Sequence, residues 1–242
     1  MIKDKYELDE IRRAVWQAER AFAAIRATIR PDATERQIAN DLEYQMRCDG
    51  AKGCSFTPIV GVGPRAALPH GRPTDVKIGE APFVLIDWGT CSGLYMSDLT
   101  RMLVTGKPPA KLERVYKIVR EAQVAAINAV RPGVSCGEID KVARDIITKA
   151  GFGKEFGHGL GHGIGLQIHE GRRAVRAVDD TTFDGERVPN WRGRVRHVAD
   201  GDVQRVLLGL AARRLDQVVL ALLLAQRDLK VHERRVQAGQ RL

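Results

Sequence analysis

Gly157-His158-Gly159-Leu160-Gly161-His162-Gly163-Ile164-Gly165 places glycine at every odd position of a nine-residue run. Five glycines in that span exclude a stable helix, and with it a helical HExxH-type zinc site. In an extended strand alternate side chains point to opposite faces, so one face is bare and open to another backbone or a ligand. The other face carries His158, Leu160, His162 and Ile164. His169 follows on the opposite parity, just before Glu170. One histidine in an apolar run is ordinarily a core residue. Two on one face, beside a stripped surface, mark a candidate site.

Upstream, Phe83-Val84-Leu85-Ile86-Asp87-Trp88-Gly89 reads as a buried strand and Leu94 to Val104 as its partner. A two-residue loop on Ser92-Gly93 would set Asp87 directly opposite Asp98. Opposed Cβ atoms lie about 4.5–5.5 Å apart, where like charges destabilise. Two carboxylates in apolar surroundings then need a cation or a shared proton, and hard divalent ions suit oxygen ligands. In another register the pair would be surface residues. His70 sits in Ala67-Leu68-Pro69-His70-Gly71-Arg72-Pro73, a punctuated loop where it is either a solvated side chain or an acid–base group.

Around these segments the chain repeats itself. Leu8, Ile11, Val15, Ala18, Phe22, Ile25 and Ile29 predict an amphipathic helix over 6–29, stopped before Pro31. Thr34 and Gln37 form a capping-box signature, and Ile38, Leu42 and Met46 carry a second helix to Gly50. A helix over 109–130, stopped at Pro132, is followed by Ser135 and Glu138, then by Ile139, Val142 and Ile146 up to Gly151. The offset is 101 throughout, from Arg30-Pro31 to Arg131-Pro132 and from Gly50 to Gly151. This predicts an internal duplication, two similar halves about a pseudo-twofold axis with a site between them.

The 242 residues suffice for one large domain or two small ones. The N-terminus is charged and lacks an apolar signal segment, and the longest late apolar stretch, Val218 to Ala225, is too short to span a membrane. The reading is a cytoplasmic protein with no membrane partner. Cys48, Cys54, Cys91 and Cys136 form no CxxC pair and read as free thiols. The net charge of +9 is uneven: residues 1–171 hold 24 Lys+Arg against 21 Asp+Glu, and 172–242 hold 15 against 9. Lys230 is the sole lysine of that second stretch, beside fourteen arginines. Such a break in composition is not the basic face of a nucleic-acid binder, and no nucleic-acid partner is expected.

Taken together, Ala67–Gly71, Val84–Gly89, Ser97-Asp98-Leu99-Thr100-Arg101 and Gly157–Gly165 running on through His169-Glu170-Gly171 resemble the metallopeptidase domain shared by aminopeptidase P, prolidase, methionine aminopeptidase and creatinase. Pro-His-Gly-Arg-Pro and Ser-Asp-Leu-Thr-Arg are closer to the Xaa-Pro enzymes. The resemblance implies an α+β "pita-bread" pseudo-twofold fold over residues 1–171, incomplete at the C-terminus. It implies two divalent ions, manganese first with cobalt or zinc as alternatives, and short peptides with proline at the second position as substrates. Asp87, Asp98 and His162 would be metal ligands, with Asp98 bridging. His70 and His169 would orient substrate and shuttle protons, and His158 would bind substrate near the scissile bond. Oligomeric state is left open.

Two departures bear on activity. Xaa-Pro enzymes often carry an N-terminal domain, and this chain starts at the catalytic one. The family also completes its site with two glutamates, in Val-Glu-Pro-Gly and Arg-Ile-Glu-Asp contexts, which residues 172–242 lack. At the repeat offset, Asp87 and Asp98 map onto Val188 and Ala199, and the nearest acids are Glu186, Asp200 and Asp202. An out-of-frame reading of 172–242, or a natural divergence, would produce both the break and the loss; the first is preferred. Val206, Leu207, Leu210, Leu215, Val218, Val219 and Leu222 predict a helix at 203–224 in place of the closing strands. The expectation is an impaired Xaa-Pro metallopeptidase, the alternative a non-catalytic remnant or binding module of that fold.

Overall fold

The computed structural model describes residues 3–131 and 134–174. The predicted 203–224 helix, and Glu186, Asp200 and Asp202, lie outside the described residues. Helix α1 (Lys5–Thr28) opens on a capping box in which Asp4 accepts from the Glu7 N–H and Glu7 accepts from the Asp4 N–H. Helix α2 (Glu35–Cys48) opens on the expected Thr34–Gln37 box. Strands β1 (Gly53–Cys54) and β2 (Ile59–Val62) follow, then β3 (Phe83–Trp88), β4 (Thr90–Ser92), β5 (Tyr95–Met96) and β6 (Leu99–Val104). Helices α3 (Ala110–Ala129) and α4 (Cys136–Lys149) precede the pair β7 (Gly161–Gly163) and β8 (Glu170–Ala174).

The central sheet is antiparallel, in the order β2-β3-β6, and helix pairs cover both of its faces. Alternation along β3 assigns the faces. Val84, Ile86 and Trp88 pack with Ala18, Ala21, Ile38, Leu42 and Met46 of α1 and α2. Phe83 and Leu85 pack with Leu112, Val115, Val119, Ala143 and Ile147 of α3 and α4. Asp87 shares the parity of Phe83 and Leu85, and so points to the α3–α4 side. Among the described residues, no helix is long and apolar enough to cross a membrane.

The two helix pairs follow one plan. Helices α2 and α4 each have 14 residues and lie 101 apart in sequence. Buried Ile11, Ala14, Ala18, Ala21 and Ile25 of α1 correspond to buried Leu112, Val115, Val119, Ala122 and Ala126 of α3. Ile38, Ala39, Leu42 and Met46 of α2 correspond to Ile139, Asp140, Ala143 and Ile147 of α4. Gly50 and Gly151 close the second helices with φ of 89° and 93°.

Two local expectations are corrected. The hairpin loop is Gly93-Leu94, one residue later than expected, so Asp87 pairs with Thr100 and not with Asp98. Tertiary contacts set this register. Thr90 Oγ1 and Ser97 Oγ donate to the Ala14 carbonyl of α1 at 2.6 and 3.1 Å, and Ser92 is buried while Leu94 is exposed. Moving the partner by two residues leaves every side chain on its face, so Asp98 stays on the side of Asp87. The glycine-rich run is the second correction: only Gly161–Gly163 is strand. The residues just before it take their backbone partners from α4 instead of from a ladder.

Candidate functional site

Asp87, near the end of β3, and Asp98, just ahead of β6, are both 3% exposed. Thr100, across from Asp87, donates its hydroxyl to Asp87 Oδ1 at 3.0 Å. Asp98 is displaced two residues from that pair, a diagonal neighbour at roughly 7–8 Å between backbones. His162 on β7 is 8% exposed, and its Nε2 lies 3.3 Å from Asp98 Oδ2. That approach lacks hydrogen-bond alignment, and Oδ2 has no hydrogen-bond partner although it is buried.

The other ring nitrogen explains the tension. His162 Nδ1 is 3.0 Å from the Gly163 carbonyl, which can only accept, so Nδ1 carries the hydrogen. In the neutral ring Nε2 is then a bare acceptor facing a carboxylate oxygen. Two lone pairs at this separation need a shared hydrogen or a cation beside both. A histidine with one nitrogen turned to a backbone carbonyl and the other presented inward is the usual arrangement of a metal ligand.

His169 is exposed and sets its ring against His162, with centroids 4.3 Å apart at 64°. The neighbouring Glu170 is buried in an ion pair with Lys3, and its Oε1 accepts from the Leu166 N–H at 3.1 Å. The segment bearing His169 is thus tied to the start of the chain. His158 is exposed, outside any strand, with Nδ1 on the Gly159 carbonyl and its ring edge-on to Phe156. His70 is exposed in the loop after the short helical turn Gly63–Ala67. The structure therefore links Asp98, His162 and His169 in succession, sets Asp87 on the same face of the sheet beside Asp98, and leaves His70 and His158 facing solvent.

Sequence reasoning did not single out Thr100, nor the buried ion pairs behind the site. Asp140 of α4, 1% exposed, pairs with Arg144 at 2.8 Å, and Glu35 of α2, fully buried, pairs with Arg65 at 2.9 Å. For Asp140 a signal was present: an acid directly after the inward Ile139, with arginine one turn later.

The donor chemistry is that of a hard divalent ion, two carboxylates and an imidazole with one carboxylate oxygen lacking a hydrogen-bond partner. The count falls short. Among the described residues, no three His, Cys, Asp or Glu side chains converge closely enough to hold an ion. The described residues do not by themselves fit a two-ion centre.

The profile of the family described as Metallopeptidase family M24 matches residues 9–203, running past residue 171. A Xaa-Pro dipeptidase of Pyrococcus furiosus is 41% identical over 183 residues, 76% of this chain and 52% of that protein. Among solved structures, an X-Pro aminopeptidase from Thermotoga maritima superposes with a TM-score of 0.70 at 42% identity, over 72% of this chain and 49% of its own. The prolidase from Pyrococcus furiosus gives 0.70 at 40%, over 76% and 55%. The chain spans about half the length of the curated relatives it matches. The fold these structures share with it is the α+β pita-bread fold.

Proposed function

The chain belongs to metallopeptidase family M24, and on that premise we propose that it carries the first half of a dinuclear, manganese-preferring site for hydrolysing Xaa-Pro peptides, with very weak turnover. The observation that carries the reading is Asp98 Oδ2, buried, without a hydrogen-bond partner, and 3.3 Å from His162 Nε2. By the family resemblance Asp87, Asp98 and His162 would be ligands, which would have to draw closer together than they stand here to hold an ion, and His169 and His70 would handle substrate and protons. His158, on the solvent side of the same segment, would meet the peptide.

Weak turnover follows from charge. Two divalent ions bring +4, and Asp87 with Asp98 supply −2. A two-metal hydrolase holds its ions roughly 3.5–4 Å apart, which asks for further carboxylates. Residues 172–242 contain no Glu-Pro-Gly context, and the repeat-equivalent positions are Val188 and Ala199. The second reading, a peptide-binding module without catalysis, is favoured by the shortfall of converging donors among the described residues. An assay of the purified chain with excess manganese on a Xaa-Pro dipeptide separates these. The expected result is slow, manganese-dependent hydrolysis; peptide binding with no hydrolysis at all would favour the binding module. Robust turnover abolished by Asp98→Ala would overturn weak turnover and restore the plain peptidase reading, for which Glu186 with Asp200 or Asp202 are the candidate further ligands.

A further inference from the structure

A run with five glycines in nine residues has little intrinsic order, because each glycine loses more backbone freedom on folding than any other residue. His162 lies within such a run, in a strand of three residues whose register shifts between His162 and Gly163. Something outside the strand must hold it.

The structure supplies one device that does so. Asp140 Oδ1 accepts from the Leu160 N–H at 2.9 Å and from Arg144 Nη2 at 3.1 Å, while Asp140 Oδ2 accepts from Arg144 Nε at 2.8 Å. Arg144 Nη1 donates to the Phe156 carbonyl at 2.7 Å, and Nη2 donates to the His158 carbonyl at 2.9 Å. The guanidinium also lies over the Phe156 ring, 4.1 Å from its centroid. One ion pair on α4 therefore grips residues 156, 158 and 160 in succession. The next side chain of that parity is His162.

We propose that Asp140 and Arg144 are positioning residues, a helix-borne clamp that sets the register of the glycine-rich segment and so aims His162 Nε2 at Asp98. The first half uses the same device on its own candidate histidine. Glu35 of α2 accepts from the Val62 and Thr74 N–H groups, each at 2.9 Å, and from Arg65. Arg65 Nη2 donates to the Arg72 carbonyl at 2.8 Å, closing the loop that bears His70. Glu35 opens α2, whereas Asp140 sits one turn further into α4, so the two clamps are alike in construction without being copies at the repeat offset. An arginine fork bound to a buried carboxylate keeps two donors free for carbonyls in fixed geometry, which lysine cannot imitate.

The inference rests on the metal-site reading only in naming His162 as a site residue, and its test reads that residue directly. In the metal-free full chain, Asp140→Asn and Arg144→Lys are compared with wild type by amide hydrogen exchange and by the His162 imidazole NMR signals. The expected result is exchange at Leu160 and His162 faster by roughly 10- to 100-fold, with a shifted His162 ring signal and unchanged protection at Ala143 and Ile147 of α4. Unchanged His162 signals in a folded variant would overturn the clamp. So would a uniform rise in exchange across α4, which marks a merely structural pair. Should Asp140→Asn fail to fold, Arg144→Lys keeps the charge and removes only the fork. Adding Mn²⁺ to wild type tests the metal reading separately: without broadening at His162 that reading falls, and the clamp stands or falls on its own signals.

Discussion

Cys54 shows how far its surroundings move a single residue. Burial, reinforced by the Glu43 carboxylate beside it, pushes the thiol up to about 12. Its folded value lies above the unfolded one, so the neutral thiol's contribution to stability is fully present below about 8.5–9. It is lost as pH rises through about 12. The thiolate is the nucleophile, so Cys54 is inert at neutral pH. Iodoacetamide at pH 8 should label the exposed Cys48 and leave Cys54 unmodified until denaturant is added, read by peptide mass spectrometry. Equal labelling in the folded protein would contradict the burial. That all four cysteines are free was legible from their spacing, but which ones are reactive was not, because reactivity depends on neighbours distant in sequence.

At the scale of elements, the break between β3 and β4 depends on Gly89. A Cβ there would come within 1.8 Å of the Ser97 carbonyl oxygen and 2.3 Å of Ser55 Oγ, which itself donates to that carbonyl. Backbone cannot yield as a side chain does. Gly89→Ala is expected to cost at least about 2 kcal/mol, measured by urea unfolding. Gly137, on the first turn of α4, meets nothing within 4 Å. Gly137→Ala should be neutral or stabilising by up to about 1 kcal/mol. If the two changes cost the same, the close approach at Gly89 is not real. The hairpin itself was legible as an apolar run, a turn and an apolar partner. Its register was not, because Ser92-Gly93 and Gly93-Leu94 are both acceptable loops. The choice was made by Thr90 and Ser97 reaching the Ala14 carbonyl of α1.

For the molecule as a whole, the repeat predicts matched energetics in the two halves. Met46 and Ile147 occupy equivalent positions 101 apart, both fully buried, in separate core clusters on opposite faces of the central sheet. Met46→Ala and Ile147→Ala should each cost about 2–5 kcal/mol. In the double variant the costs should add to within about 0.5 kcal/mol, because the two side chains share no cluster. Coupling well beyond that, measured in one unfolding series, would mean that the two cores are mechanically one.

The sequence by itself determined the helix pairs, their caps, their repeat and the candidate residues, because these depend on periods and short spacings that neighbouring residues set. The expectation that Asp87 and Asp98 share a side of the sheet survives, since a two-residue change of register conserves faces; which side it is, and that it is buried, came from the helices packed on it. Only the tertiary structure decided which histidine meets which aspartate. His162 reaches Asp98 from a segment more than sixty residues away, and glycines give that segment no conformation of its own. Its placement comes from Asp140 and Arg144; their spacing on α4 marks them as a pair, but not the carbonyls and N–H they hold, because a buried ion pair acquires its partners only when the chain closes around it.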